Sequence, residues 1–242
     1  MGFPWSHGRH QAVLLTLFLL LWAALAVAPS YRQDWALENA LVIPLVAALV
    51  LTRRALPLSR VSYTLVFLFL CLHEVGAHYT YAEVPYDRWF EAFTGHTLSE
   101  ALGLQRNHFD RVVHLCFGLL LAYPIREVFH RVAQVKGFWG YYLPLDVTMA
   151  FSMVFELFEW GAAEFFGGDL GVAYLGAQGD VWDAQKDMAL ATLGAVAAMG
   201  ITLALNLYLQ RDFAREWADS LRVKHPAPLG EDEIRRLWRR RR

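Results

Sequence analysis

Four groups of ionisable side chains stand inside, or at the mouths of, long apolar runs. "CLHEVGAHYTY" carries His73, Glu74 and His78, and "NHFDRVVHLCFGLL" carries His108, Asp110, Arg111 and His114. "FELFEWGAAEFF" carries Glu156, Glu159 and Glu164. "AQGDVWDAQKDMALATLGAV" carries Asp180, Asp183, Lys186 and Asp187. Ionisable groups at membrane depth are expensive, so they face a protein interior or a water-filled cavity and mark sites of function. Helical positions three or four apart share a face. Glu74 pairs in this way with His78, Asp110 with His114, and Glu156 with Glu159. Asp180, Asp183 and Asp187 form one stripe if their helix begins early enough. "HEVGAH" is not the zinc-protease H-E-x-x-H, because His73 and His78 are five apart and diverge.

Carboxylates and imidazoles on facing helices are the way bundles build metal sites. The expected ligand set for a divalent ion is Asp110, His114, Glu156, Glu159, Asp180, Asp183 and Asp187. Oxygen-rich sites suit Mg²⁺, Mn²⁺ or Ca²⁺, and the imidazole extends the range to Zn²⁺ or Fe²⁺. Such an ion would activate water or polarise a phosphoryl oxygen. Glu74 or His78 would act as general base, with Lys186 as a further catalytic group. The alternatives are a proton or ion-pair network, which would suit a transporter, and a purely structural network that fixes helix packing.

The surrounding sequence dictates what must position these groups. The chain has 242 residues, 56% of them hydrophobic and 19% charged, with a net charge of −1. Six apolar runs, 12–28, 37–51, 61–79, 112–128, 143–165 and 188–209, approach the roughly 20 residues that cross a bilayer. The second is short and contains Pro44, which a kinked spanning helix tolerates. Ala26-Val27-Ala28 resembles a signal-peptide cleavage pattern, but Pro29 follows directly and the apolar run is long, so a retained helix is expected. Cys71 and Cys116 sit within apolar runs and read as buried thiols.

Arg53, Arg54 and Arg60 follow the second run, Arg126, Arg131 and Lys136 close the fourth, and the tail ends "IRRLWRRRR". The 81–110 connection is net acidic. Positive charge marks the cytoplasmic side, so both termini are expected inside. All four polar groups then fall in the outer half of the membrane. Val61 to His73 is about 18 Å of helix rise and Leu143 to Glu156 about 20 Å, within a hydrocarbon core of about 30 Å. The expectation is an all-α, single-domain polytopic bundle of six transmembrane helices. It would hold a shared outward polar pocket, open or roofed by the two outer loops. "DRWFEAF" and "LSEALGL" read as short surface helices, and "LGAVAAMG" offers small residues for close helix packing. The tail 211–242 reads as helical to about Leu221, broken at Pro226 and Pro228, and as an anchor for anionic lipid headgroups. The expected partners are membrane lipids; a homo-oligomer is compatible with the pattern, and nucleic acid is not expected.

On "HEVGAHYTYAEVPYD", "RNHFDRVVHLCFGLLLAYPIRE", "FELFEW" and "GDVWDAQKDMALATLGA" the chain resembles the bacterial inner-membrane YjdF family. That resemblance spans most of the chain and implies a multi-pass inner-membrane protein without an assigned activity. A second likeness is to the VanZ-like membrane proteins. Asp110-Arg111-x-x-His114 stands where that family has Asp-Lys-x-x-His, followed by Glu156 and Glu159, then Asp183, Asp187 and "TLGA". Arg111 replaces the usual Lys, and Asp187 stands near a usual Asn. This likeness implies a shared helical core and an envelope or antibiotic-resistance setting. Three functions follow as expectations: a metal-assisted enzyme on lipid or envelope-precursor headgroups, an ion- or proton-coupled transporter, and a non-catalytic envelope protein.

Overall fold

A computed structural model describes residues 6–166, 176–209, 213–224 and 229–240. Among them every regular element is helical. Helix α1 (His7–Leu25) starts at Ser6, whose hydroxyl accepts the Arg9 N–H. Helix α2 (Arg32–Thr52) contains Pro44 without breaking. Helix α3 (Arg60–Tyr79) is capped by Ser59, which accepts the Ser62 N–H. A 3₁₀ turn (Tyr81–Glu83) leads into α4 (Tyr86–Thr94) and α5 (Leu98–Leu102), the two short helices expected in the outer connection. The capping box of Thr97 and Glu100 starts α5 by satisfying backbone N–H groups that a helix end leaves open. Helices α6 (Phe109–Val132), α7 (Trp139–Phe166) and α8 (Asp183–Leu209) complete the bundle. The tail carries α9 (Phe213–Ser220) and α10 (Leu229–Arg240). The tail was expected to lose its helix after about Leu221. It resumes one in α10, where acidic residues in the first turn and arginines in the last complement the helix dipole. Residues 225–228, with the two expected helix breakers, lie outside the described residues.

Among the described residues five helices, α1, α2, α3, α6 and α8, are long and apolar enough to cross a membrane. The remaining expected span, 143–165, lies in α7, which has 28 residues but carries Asp146, Glu156, Glu159 and Glu164. Those acids and its flanking tyrosines dilute its hydropathy. It nevertheless runs beside α6 and α8 for their length. Glu156 faces His114 at one end, and Tyr141 accepts from Asn206 Nδ2 at 2.6 Å near the other.

The closest packing is between α6 and α8. A Cβ built on Gly118 would fall 1.9 Å from the Ala191 carbonyl oxygen, and one on Gly194 would fall 2.1 Å from that of Leu115. Ala122, Ala191 and Ala195 continue the seam and are fully buried. Small residues let the two backbones touch, which is how helices gain contact where lipid removes the hydrophobic drive. On α8 the buried face is Asp183, Asp187, Ala191, Gly194, Ala198 and Thr202, a stripe at helical spacing. The small residues therefore carry the two aspartates directly onto α6. An apolar cluster around Phe69, Leu70, Val113 and Leu121 joins α3 to α6. At the opposite end, Ala198, Met199 and Tyr141 pack with Phe213 and Trp217 of α9. The outward faces are apolar, with Phe151, Val154 and Phe158 on α7 and Leu193, Ile201 and Leu205 on α8 exposed. A belt of this kind, far larger than soluble proteins expose, is what acyl chains cover.

Candidate metal centre

One turn into α6, Asp110 and His114 face the same way, as their four-residue spacing requires. The α6–α8 seam brings Asp187 against them, and ligand atoms of Asp110, His114 and Asp187 all lie within 4.8 Å of one another. From α7, Glu156 Oε1 approaches His114 Nε2 to 3.4 Å, while Asp110 Oδ1 stands 3.5 Å from the same nitrogen. Both separations exceed a hydrogen bond. Glu159 is buried beside them, within electrostatic reach of Asp110, Glu156 and Asp187. Asp187 is 2% exposed. Its Oδ1 and Glu156 Oε1 have no hydrogen-bond partner among the described residues. Four carboxyl groups thus converge about one imidazole, all of them largely buried, and such a group must be compensated by a cation or by protons.

Two arginines seal the mouth. Arg106 Nη1 and Arg111 Nη2 both donate to Asp183 Oδ1 at 2.6 Å. Arg111 also reaches Asp180 Oδ2 at 2.9 Å and, through Nε, comes to 3.7 Å from Asp187 Oδ1. Arg106 Nη1 donates to the Ala177 carbonyl at 3.2 Å. Asn107 and Gln178 exchange hydrogen bonds, Asn107 N to Gln178 Oε1 and Gln178 Nε2 to Asn107 O, each 3.0 Å. Asn107 Nδ2 donates to Val84 O at 2.9 Å and the His108 N–H to Tyr86 Oη at 3.1 Å. The 81–110 connection and the described part of the one before α8 therefore roof the group. Residues 167–175, part of the glycine-rich loop expected to cover the bundle, lie outside the described residues.

A second arm extends through α3 to α2. Glu74 is fully enclosed, and neither of its carboxyl oxygens has a hydrogen-bond partner among the described residues. His73 Nε2 stands 3.9 Å from Glu38 Oε2, and its Nδ1 bonds to the Tyr81 hydroxyl. Gly76 makes that bond possible: a Cβ there would lie 2.7 Å from the Tyr81 ring, so only glycine lets the ring lie flat on α3. Asp34 accepts from Thr80 Oγ1 at 2.9 Å, holding a residue whose φ of 59° is costly without a partner. Glu38 is within electrostatic reach of both Glu74 and Asp110 and so connects the two arms.

The structure sorts the expected residues. Asp110, His114, Glu156, Glu159 and Asp187 come together, with Glu74 on the adjoining arm. Asp183 is close to them but is held by the two arginines. Asp180 was expected on the helical stripe, yet α8 begins at Asp183 and Asp180 lies in the preceding turn. Its carboxylate is held down to about 2, first by the Lys186 ammonium, then by the Trp182 N–H, with Arg111 adding to both. Lys186 is half-exposed and bonded to Asp180 at 2.6 Å, on the outer side of the roof. His78 turns toward the α1–α2 connection, where its Nδ1 meets the Leu25 carbonyl at 2.7 Å. The i, i+4 pairing of Glu74 with His78 fails because the last turn of α3 packs against that connection; the Ser30 N–H also donates to His78 O.

Sequence reasoning missed Asp34, Glu38 and Asn39, all buried on α2, and Arg106. The signal was present. Asp34 and Glu38 repeat the spacing of Asp183 and Asp187 at the start of an apolar run, and Arg106 is a cation in a net acidic connection.

A family model described as "Predicted membrane protein (DUF2238)" matches residues 10–207, which include every member of the group. The chain is 37% identical over 190 residues to Inner membrane protein YjdF of Escherichia coli (strain K12), covering 78% of this chain and 85% of that protein. No solved structure matches.

Proposed function

Because the chain belongs to the DUF2238 family of multi-pass inner-membrane proteins, we propose that its buried carboxylate–imidazole group is a divalent-cation centre acting on the headgroup of a lipid or envelope precursor. The observation that carries this reading is the meeting of Asp110, His114 and Asp187 within 4.8 Å. Ligands with bonds of about 2.0–2.6 Å sit up to roughly twice that distance apart around one ion. Glu156 Oε1, without a hydrogen-bond partner among the described residues, would supply a further oxygen. The ion would polarise a phosphoryl or carbonyl oxygen of the headgroup. Glu74 would take the proton of the attacking water, whose oxygen bonds to the headgroup centre as the leaving oxygen departs. Arg106 and Arg111, at the mouth, would exchange an aspartate for an anionic headgroup.

A second reading is cation or proton movement across the membrane. Ser152 and Thr148 continue the buried polar face of α7 below Glu156, with exposures of 1% and 0%. One preparation separates the two. Purified protein in vesicles of bacterial lipid extract is incubated with Mn²⁺, and released headgroups are followed by mass spectrometry. The metal-assisted reading expects release that stops with chelator and in Asp187→Asn. Cation flux across the same vesicles with no headgroup release would overturn it in favour of the second reading.

A further inference from the structure

The end of the molecule away from the metal centre contains a different feature. Helices α1 and α2 meet at their connected end, where Trp22 Nε1 donates to Asn39 Oδ1 at 2.6 Å and the Trp22 and Trp35 rings pack together. At the other end they part, leaving a groove of about 390 Å³ floored by α3. Its walls are apolar, formed by Leu15 and Phe18 from α1 and by Val46 and Leu49 from α2. Its mouth is polar. Arg53 caps α2 there, and Gln11 and Tyr63 line the opening. Behind that opening the Tyr63 hydroxyl, Gln11 Nε2 and, outside the groove lining, His7 Nε2 are buried without a hydrogen-bond partner among the described residues. His7 lies edge-on to the Tyr63 ring at 6.0 Å.

We propose that this groove binds one anionic phospholipid, with an acyl chain between α1 and α2 and its phosphate at Arg53, on the side of the opening lined by Gln11 and Tyr63. The depth fits. From Gly8 to Phe18, α1 rises about 15 Å, half of a hydrocarbon core of about 30 Å, so the groove accommodates a chain from one leaflet. The polar end fits as well, because Arg53 places an exposed guanidinium where a headgroup lies, and guanidinium–phosphate hydrogen bonds are among the strong ones. Arg53, Arg54 and Arg60 collect at this end, which by the positive-inside rule faces the inner leaflet. A second copy of this chain would meet a cationic mouth with no acidic patch of its own at that level among the groove's lining residues.

The test is native mass spectrometry of the full chain released from nanodiscs containing equal dioleoyl phosphatidylglycerol and dioleoyl phosphatidylcholine. The expected spectrum shows one retained phosphatidylglycerol per chain. Retention should fall at least several-fold in Arg53→Gln, which removes the charge, and in Leu49→Trp, which fills the groove. Arg54→Gln, outside the groove, should retain the lipid as the unaltered protein does. Leu49 lines the groove and also packs against the apolar cluster, so Arg53→Gln carries the test alone if the tryptophan variant does not fold. Equal retention of the two lipids, or undiminished phosphatidylglycerol in folded Arg53→Gln, would overturn the proposal. So would a dimer that excludes lipid from the groove.

Discussion

Asp180 shows how a residue can be placed by its neighbours rather than by its helix. Its carboxylate is depressed to about 2 from a usual 3.8. A depressed carboxylate adds stability that is fully present above its unfolded value and is lost as pH falls toward the folded value. Replacing it should therefore matter at neutral pH and less in acid. Asp180→Asn is expected to lower the thermal midpoint at pH 7, with the gap to the unaltered protein closing as pH drops from about 4 toward 2. A gap that stays constant would mean the charge is not what Asp180 contributes. At this scale much of the centre was legible, because an acid or histidine within an apolar run is costly enough to announce itself. Asp34 was harder to see because it precedes the apolar part of α2 and passes for a loop residue, and Glu38 because it stands at the very start of that run. His78 and Lys186 could not be placed by spacing, since which side of a helix end turns inward depends on what packs against that turn.

The element that makes the centre is the α6–α8 seam. Gly118 and Gly194 let the backbones touch, and this contact sets the separation of Asp110 and His114 from Asp187. A side chain at Gly118 must push α8 away. Gly118→Leu should destabilise the bundle by at least about 1–3 kcal/mol, the usual cost of overpacking. Gly200→Ala, on α8 with nothing within 4 Å of a new Cβ, should be nearly neutral. Chemical or thermal unfolding in detergent reads both; equal stability of the two variants would refute the seam as the organiser. The apolar runs marked the helices well but ended too early at the polar ends. Helix α2 begins at Arg32 and α8 at Asp183, because buried partners let charged residues continue a helix that hydropathy alone would stop. The small residues of α8 were visible in the sequence. Their counterpart Gly118, and hence which helix they touch, was not, because contact between distant segments leaves no periodic trace in either one.

At the scale of the whole molecule, helices from both halves of the chain deliver acids to one enclosed level, two connections roof it where they are described, and an apolar belt surrounds it. A bundle that only needed to pack would be served by apolar residues at that level, since buried charge is weak support for stability. On the proposed reading a divalent cation balances the group. The most direct measurement is the metal content of protein purified in mild detergent without chelator, by inductively coupled plasma mass spectrometry. About one divalent ion per folded chain is expected, retained through gel filtration and lost in folded Asp187→Asn, as ligand removal weakens a metal site. A folded, unaltered protein with only trace metal, indistinguishable from Asp187→Asn even after incubation with Mn²⁺, Mg²⁺, Zn²⁺, Ca²⁺ or Fe²⁺, would contradict it.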